Sequence, residues 1–220
     1  QHNPEFTMLE WYRVGFDHHQ LMDEMSDFLQ ATIGSATAVK ISYQDAFMQH
    51  LQINPHTASC DALASTASKA GLKISDTGLI KDSDTWLQLL MSHSIEPHLG
   101  FDAPCFIYDY PATQASLSKI RQDTPPVAER FELYIKGVEL ANGFHELTDA
   151  TEQKNRFEAN RAQRKKEGLA DIAIDPYFIN ALETGLPDCA GVALGLDRLL
   201  MIQSKATNIQ ELISFPWQHC

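Results

Sequence analysis

The length and net charge of the chain limit the classes of protein to which it can belong. Its 220 residues are enough for one large domain with a proper core, and its formal net charge of −12 argues against a surface that grips nucleic-acid backbone. No CxxC pair occurs among the four cysteines, and no apolar run is long enough to span a bilayer. We therefore predict a cytoplasmic protein with reduced thiols and no membrane contact.

The first predicted element is a strand that holds an acid among aromatic side chains. Phe6, Trp11 and Tyr12 surround Glu10 in the stretch FTMLEWY. Because buried carboxylates are rare unless they are paired, we expect Glu10 either to meet a cation or to lie at the mouth of a pocket.

Helical periodicity dominates the next part of the chain. Apolar residues at helical spacing predict helices over 17–33, 42–53, 58–70 and 83–94. We interpret this stretch, roughly residues 17–98, as a helical insertion beside a sheet. The histidines within it are predicted to be surface residues rather than ligands: His18, His19, His50, His56, His93 and His98. A short aromatic strand is predicted next, over 101–111.

The stretch FELYIKGVELANGFHELTD carries the clearest chemical signal. Alternating apolar residues predict one strand, and the first glycine of the stretch predicts a tight turn. The residues after the turn are predicted to form a return strand. This hairpin places Glu132 and Glu139 on adjacent strands, where they repel each other unless a divalent cation lies between them. Asn142 and Glu146 follow on the return strand and add an amide and a third acid. The alternative is an amphipathic hairpin with a solvated outer face.

Two further helices are predicted over 150–167 and 176–183, before a segment of small residues. In the stretch CAGVALGLDRLLM, residues such as Gly195 allow a backbone to approach a ligand closely. Arg198 opens the following helix, where its guanidinium is well placed to bind phosphate oxygens bidentately. Taken alone, the GxDR pattern is weak, and an Arg–Asp surface pair is the alternative.

Three stretches together resemble class II lysyl-tRNA synthetases. HNPEFTMLEWY resembles the end of the family's motif 2, FELYIKGVELANGFHELTD the acidic strand pair of its ATP site, and GVALGLDRLLM its motif 3. Their order and spacing match over nearly the whole chain. The resemblance implies an antiparallel sheet of six or seven strands flanked by helices, in a single catalytic domain over residues 1–220; periodicity alone indicates only an α+β fold.

Within that family the likeness is greater to a group of short paralogues that ligate (R)-β-lysine to elongation factor P. EWYR, PATQASL and ELANGFHELTDA carry this likeness. Ala193 supports the same assignment. Lysyl-tRNA synthetases typically have glycine at this position, and the added methyl group reshapes the pocket around the substrate's amino group. A change of this size is worth roughly 1–3 kcal/mol of discrimination between substrates. The implied enzyme is an ATP-dependent ligase that makes an acyl-adenylate of (R)-β-lysine, or of lysine, and transfers it to a lysine side chain of elongation factor P.

The resemblance also implies a role for each matching position. The implied ATP-binding residues are His2, Asn3, Phe6, Glu139, Leu140, Gly195 and Arg198, of which Glu139 and Arg198 are the catalytic pair. Mg²⁺ would be held by Glu132 and Glu139. The implied substrate-binding residues are Glu10, Tyr12, Asn142, Glu146 and Ala193.

Two of the family's features are missing from the sequence. These are motif 1, which forms the family's dimer interface, and the first part of motif 2, which supplies an arginine for the α-phosphate. We therefore expect an N-terminally incomplete fold with little or no ligase activity from these 220 residues alone. A homodimer is expected for the full-length protein.

Two other functions stay open. A lysyl-tRNA synthetase catalytic domain is disfavoured by the acidic charge, by Ala193 and by the TQASL connector, so tRNA is not expected as a partner. A non-catalytic synthetase-like binding module is disfavoured because the clustered acids are retained together with Arg198, and a pseudoenzyme is free to lose them.

Overall fold

The computed structural model describes residues 3–72, 80 and 82–216, which form a seven-stranded sheet with helices on both faces. The strands are β1 (Met8–Val14), β2 (Val39–Ser42), β3 (Cys105–Pro111), β4 (Ile120–Arg121), β5 (Val127–Ile135), β6 (Val138–His145) and β7 (Cys189–Gly195). The α-helices are α1 (His18–Ile33), α2 (Tyr43–Leu51), α3 (Cys60–Lys69), α4 (Ser83–Leu90), α5 (Ala150–Lys166), α6 (Pro176–Thr184) and α7 (Leu196–Ser204). A π-helical turn over Met91–Ile95 continues α4.

The strand order confirms the predicted class, an α+β fold with a sheet flanked by helices. The order is β1-β7-β6-β5-β3-β2, and β4 pairs with β5. Most neighbours run antiparallel, but β2 runs parallel to β3. The sheet is therefore antiparallel, as expected, except for this one parallel pair at its edge.

Helix α1 covers one face of the sheet, which we call the back face. Leu21, Met22 and Met25 are fully buried against side chains of β5, β6 and β7 that include Phe131 and Leu194. Burying each such side chain contributes about 1.5–3 kcal/mol, so this contact fixes the helix on the sheet.

The two ends of α1 are set by local capping. Asp17 accepts a hydrogen bond from the backbone N–H of Gln20, whose side chain in turn accepts from the backbone of Asp17, and Gly34 ends the helix at φ 65°. His18, the first residue of α1, is only 1% exposed. The prediction that it lies on the surface is therefore wrong.

Helices α2 to α4 cover part of the opposite face, which we call the front face. Tyr43, Phe47 and Trp86 from these helices pack in one buried cluster with Ile107 of β3 and Tyr134 of β5. The front face of β1, β7 and β6 lies beyond this cluster, and several of its side chains there are exposed. This half of the front face is the part of the sheet that can receive a ligand.

The hairpin of β5 and β6 closes through a two-residue turn. Lys136 and Gly137 have φ values of 51° and 72°, and Ile135 pairs with Val138 on either side of them. Positive φ at both central residues matches the twist of a two-residue hairpin, and glycine adopts it without strain. The turn that the sequence indicated at this glycine is confirmed.

A β-bulge interrupts the same hairpin three residues later. Tyr134 pairs with Glu139, but Leu133 pairs with Ala141, so Leu140 is an extra residue in β6. A bulge changes which side chains of one strand oppose those of the other. The pairing beyond it therefore differs by one residue from that of a regular hairpin.

The predicted helices are confirmed as α1 to α6, whereas two short strands were not predicted. β2 has four residues and β4 has two, too few for alternation to be visible in the sequence. β2 lies within residues 17–98, the stretch interpreted as a helical insertion, and α1 in that stretch packs on the sheet. The helices of the front face, α2 to α4, begin only after β2.

The helices and the cysteines relate to two expectations from the composition, which concern membrane contact and thiol state. Among the described residues, no helix combines the length and apolar character that a bilayer crossing needs. Cys60, Cys105 and Cys189 carry free thiols, and burial raises the pKa of the Cys105 thiol to about 11. These three cysteines agree with the prediction of reduced thiols.

We predict that Gly143→Ala destabilises the back-face core. A Cβ at Gly143 would lie 2.3 Å from Cζ of Phe131 and 2.9 Å from the carbonyl oxygen of Gly191. Overpacking of a filled core costs about 1–3 kcal/mol, so we expect the free energy of unfolding to fall by about 2 kcal/mol. Urea denaturation followed by circular dichroism measures this change.

Gly195→Ala is the matched control for that substitution. A Cβ at Gly195 would meet no atom nearer than 3.7 Å. We expect the free energy of unfolding to change by less than about 1 kcal/mol. Equal losses of unfolding free energy in the two variants would show that the clash with Phe131 is not the reason why Gly143 is required.

Candidate active site

The floor of the candidate site is the front face of β7. Gly191, Ala193 and Gly195 point to the front, and each has little or no side chain. Val192 and Leu194, which alternate with them, are buried in the back-face core. Period-two alternation thus gives β7 an apolar back and an open front. We call the resulting groove over these three small residues the β7 trough.

Polar side chains of the neighbouring strands stand on both sides of the β7 trough. On β1, Glu10 is opposite Ala193 and Tyr12 is opposite Gly191. On β6, Asn142 is also opposite Ala193. Glu10 is exposed at the open edge of β1.

A cavity of about 420 Å³ occupies one end of the trough. The predicted site residues that line it are Asn3, Phe6, Glu139, Leu140, Asn142, Ala193, Gly195 and Arg198. These are six of the seven implied ATP-binding residues and two of the implied substrate-binding residues. The seventh ATP-binding residue, His2, lies outside the described residues.

Arg198 is held at this cavity by the β5–β6 hairpin. Its Nη1 donates to the carbonyl oxygen of Glu139 at 2.5 Å and lies 3.9 Å from Oε2 of the same residue. Asp197 instead accepts from the backbone N–H of Thr7 at 2.6 Å. The alternative of an Arg–Asp surface pair is therefore wrong. Arg198 follows Gly195 at the start of α7, where a helix N-terminus also favours anionic groups.

Glu132 lies on the same face but is bound by protein groups. Its Oε2 accepts from the hydroxyls of Tyr110, at 2.7 Å, and of Tyr134, and its Oε1 accepts from Nη2 of Arg130. Its direct partner across the strands is Asn142 rather than Glu139. Arg130 thus offsets part of the repulsion between Glu132 and Glu139, which we had expected a cation alone to relieve.

The carboxyl group of Glu139 is compensated less fully by neighbouring groups than that of Glu132. Burial, together with the neighbouring charges of Glu132 and Glu96, raises the pKa of the Glu139 carboxyl to about 7, and Arg198 offsets only part of this rise. Carboxylate oxygens are the ligands that Mg²⁺ prefers in proteins. The pair therefore fits such an ion, with Glu139 the more available ligand, because three donors already occupy Glu132.

Glu146 and Tyr12 close the other end of the trough. A Cβ at Gly191 would lie 2.5 Å from Oε1 of Glu146 and 2.6 Å from Cε1 of Tyr12, so both side chains reach over this glycine. They also line a second cavity, of about 310 Å³, that α5 and α6 close. Burial raises the pKa of the Glu146 carboxyl to about 7. An ammonium group is the ligand that would stabilise its charged form.

Two polar residues of this face were not predicted. Arg130 Nε donates to Oδ1 of Asn142 at 3.1 Å, so one guanidinium orients both Glu132 and Asn142. The alternation of β5 places Arg130 on the same face as Glu132, which was a signal available in the sequence. Gln153 of α5 lines the second cavity and is 1% exposed, and its Nε2 has no hydrogen-bond partner among the described residues.

Comparison with known proteins identifies the family. The family described as "tRNA synthetases class II (D, K and N)" matches residues 1–219. The chain belongs to this class II synthetase family. The resemblance to class II lysyl-tRNA synthetases noted from the three motifs is thereby confirmed.

Curated relatives narrow the position within the class II synthetase family. The chain is 53% identical over 217 residues to a protein of Vibrio vulnificus named "Elongation factor P--(R)-beta-lysine ligase", with 98% of this chain and 67% of the relative covered. A protein of the same name from Yersinia enterocolitica is 51% identical over 216 residues, covering 98% and 66%. The chain therefore spans about two thirds of the length of these relatives, and the predicted likeness to this group of paralogues is confirmed.

We predict that binding of an alkylammonium ligand at Glu146 weakens as the pH falls through about 7. The ionised fraction of a carboxyl with this pKa falls about tenfold between pH 8 and pH 6. The probe 1,5-diaminopentane stays protonated over this range, because its amines resemble the lysine side chain. Isothermal titration calorimetry at pH 6, 7 and 8 should show an affinity about ten times lower at pH 6.

Two variants test whether Glu146 causes this pH dependence. Glu146→Gln should bind the diamine weakly at pH 8 and lose the dependence on pH. Glu158→Gln, on the exposed side of α5, should keep the affinity and the pH dependence of the unmodified protein. Binding that does not change with pH in the unmodified protein would contradict the assignment.

Proposed function

We propose that the protein is an ATP-dependent ligase that activates (R)-β-lysine as an acyl-adenylate and transfers it to a lysine side chain of elongation factor P. The observation that carries this proposal is the β7 trough, with Arg198 and Glu139 at one end and Glu146 at the other. One end suits a metal-bound triphosphate, and the other suits the ammonium group of an amino acid. The names of the curated relatives support the choice of amino acid and acceptor.

In the nucleotide half of the trough, Arg198 binds the triphosphate with its guanidinium fork. Phe6 is exposed at the same cavity, where its ring can stack on adenine, and the backbone of Leu140 and the side chain of Asn3 can bind the edge of the base. Gly195 leaves room for the nucleotide. Mg²⁺, when it is held by Glu139 with Glu132, supplies neutralisation of the triphosphate charge.

In the substrate half, the carboxylates hold the ammonium groups of the amino acid. Glu146 takes one ammonium under Tyr12, and Glu10 takes the other at the open edge of β1. Asn142 is oriented by Arg130 and fixes the chain between them. The substrate carboxylate is thereby directed along the trough, toward the α-phosphate.

The reaction then follows in two transfers. A carboxylate oxygen of the amino acid attacks the α-phosphorus, the bond to the bridging oxygen breaks, and pyrophosphate leaves. The neutral ε-amine of the acceptor lysine attacks the acyl carbon, AMP leaves, and the amine proton passes to solvent. The protein contributes position and charge neutralisation, which together can supply most of such a rate enhancement.

Several features of the whole protein belong to this proposal. Residues 1–220 form one class II synthetase-like catalytic domain, and the full-length protein is a homodimer that acts in the cytoplasm. The acceptor is a protein rather than tRNA. The acidic balance of the chain, with 29 acidic and 17 basic residues, supports a protein acceptor.

Intact-protein mass spectrometry tests the proposed function. Elongation factor P is incubated with the full-length protein, ATP and either (R)-β-lysine or α-lysine, and we expect the factor to gain one lysyl group, faster with the β isomer. Arg198→Lys should lower the rate at least about a hundredfold, because the fork that binds the phosphates is lost. Arg161→Lys, an exposed change on α5, should leave the rate unchanged. Lysyl transfer to tRNA but not to the factor would overturn the proposal.

We predict that Ala193→Gly shifts substrate choice toward α-lysine. Ala193 lies on the trough floor between Glu10 and Asn142, so loss of its methyl group enlarges the pocket beside the substrate's amino group. One methyl group is worth about tenfold or more in discrimination. ATP–pyrophosphate exchange with each isomer measures the ratio, and an unchanged ratio in the variant would show that Ala193 does not set the preference.

A further inference from the structure

A second cluster of chemically active side chains lies on the back face of the sheet. Glu129 of β5 and His145 of β6 lie where the two strands run side by side, in line with Phe131 and opposite to the face that carries Glu132. His18, at the start of α1, reaches the same place. We call His18, Glu129 and His145 the back-face triad. No role in the proposed ligase reaction falls to these residues.

His18 is the unusual member of the back-face triad. It is 1% exposed, and neither of its ring nitrogens makes a hydrogen bond within the described part of the chain. Oδ1 of Asp109 lies 3.4 Å from its Nε2, but the contact does not have the geometry of a hydrogen bond. A buried imidazole without hydrogen bonds costs free energy unless another group satisfies it. The ring nitrogens of His18 are therefore available to a further ligand.

The donor atoms of the three side chains lie close enough together for one metal ion to bind all of them. One donor atom from each residue of the back-face triad lies within 4.8 Å of the other two. Donor atoms around a tetrahedral zinc are separated by roughly 3.3 Å, given bonds of about 2.0–2.1 Å. Nδ1 of His145 and Oε2 of Glu129 are now hydrogen-bonded at 2.6 Å, so this pair opens by less than about 1 Å while His18 moves in.

The charges around the triad leave room for a cation. Two permanent cations, Lys119 and Arg121, face four carboxylates, which are those of Asp109, Asp123, Glu129 and Asp188. Lys119 is paired with Asp188, and Arg121 binds Asp109 through both terminal nitrogens and Asp123 through Nε. A net negative charge of two is therefore left over when the histidines are neutral, and part of it lies on Glu129. A cation bound by neutral imidazoles and Glu129 would take it up.

We propose that His18, Glu129 and His145 form a site for a divalent transition metal of the zinc type. Two imidazoles and one carboxylate are a ligand set that zinc accepts, with water in the fourth position, whereas Mg²⁺ prefers oxygen ligands alone. Zn²⁺ in this site joins α1 to β5 and β6 across the back face. The site is separate from the front-face acids that serve Mg²⁺ and ATP.

Calorimetric titration of Zn²⁺ into the chelator-treated protein tests the proposal. The titration is run in excess Mg²⁺ and ATP, so that the front-face acids are occupied. We expect one Zn²⁺ per chain and a rise in melting temperature. His18→Ala and the isosteric Glu129→Gln should each weaken binding at least about tenfold and abolish the rise. Co²⁺ in place of Zn²⁺ should give visible absorption bands of nitrogen and oxygen coordination.

Two further histidine variants separate the triad from its surroundings. His93→Ala, a distant exposed change, should keep both the affinity and the rise in melting temperature. His19→Ala should also keep them, although His19 with His18 and Asp109 forms another convergent set. Loss of binding in His19→Ala with retention in Glu129→Gln would overturn the assigned ligands. Absence of stoichiometric Zn²⁺ binding, or binding that survives both triad variants, would overturn the site itself.

Discussion

The strand β7 must satisfy opposite demands on its two faces, and the candidate site depends on how it does so. Its back-face residues, such as Val192 and Leu194, pack in the core under α1. Its front-face residues, Gly191 and Ala193 among them, must leave the sheet bare, because a nucleotide and an amino acid need the volume. Since strand periodicity assigns alternate residues to opposite faces, the two demands do not compete. As a result, the methyl group of Ala193 is the main contribution of β7 to this face, and the neighbouring strands, the segment before β1 and α7 supply the other side chains that a ligand would meet.

The electrostatics of the front face divide its acids into two kinds. Glu132 is saturated by Arg130 and two tyrosine hydroxyls, and it serves chiefly to fix the surrounding groups. Glu139 and Glu146 are desolvated without full compensation, and the pKa of each carboxyl is raised to about 7. Perturbed acids of this kind are characteristic of functional sites, because the missing stabilisation is available to a ligand. A cationic ligand at each end would therefore stabilise the charged form of the carboxyl that it meets.

Local sequence patterns predicted the elements well and the contacts between them poorly. Alternation in β5, the glycine of the hairpin turn and the small residues of β7 are each visible in a few consecutive letters, so the strands and the trough floor could be predicted. The hydrogen bond from Arg130 to Asn142, the burial of His18 and the parallel pairing of β2 depend on which elements meet. No local pattern carries that information. The family resemblance supplied the positions of the site residues, because periodicity alone does not bring Glu10 and Glu146 to one trough.

The bulge at Leu140 makes the length of β6 as important as its composition. It lies between Glu139 and Asn142, the residues that face the nucleotide and the substrate. In a regular strand, residues three apart point to opposite faces, so the extra residue is what brings Glu139 and Asn142 to the same face. A one-residue insertion after the bulge would turn every later residue of β6 to the opposite face. Asn142 would then turn toward α1 and its apolar neighbour toward solvent, although every functional residue would still be present. Aligned site residues in a relative thus imply a working site only when the number of residues between them is also kept.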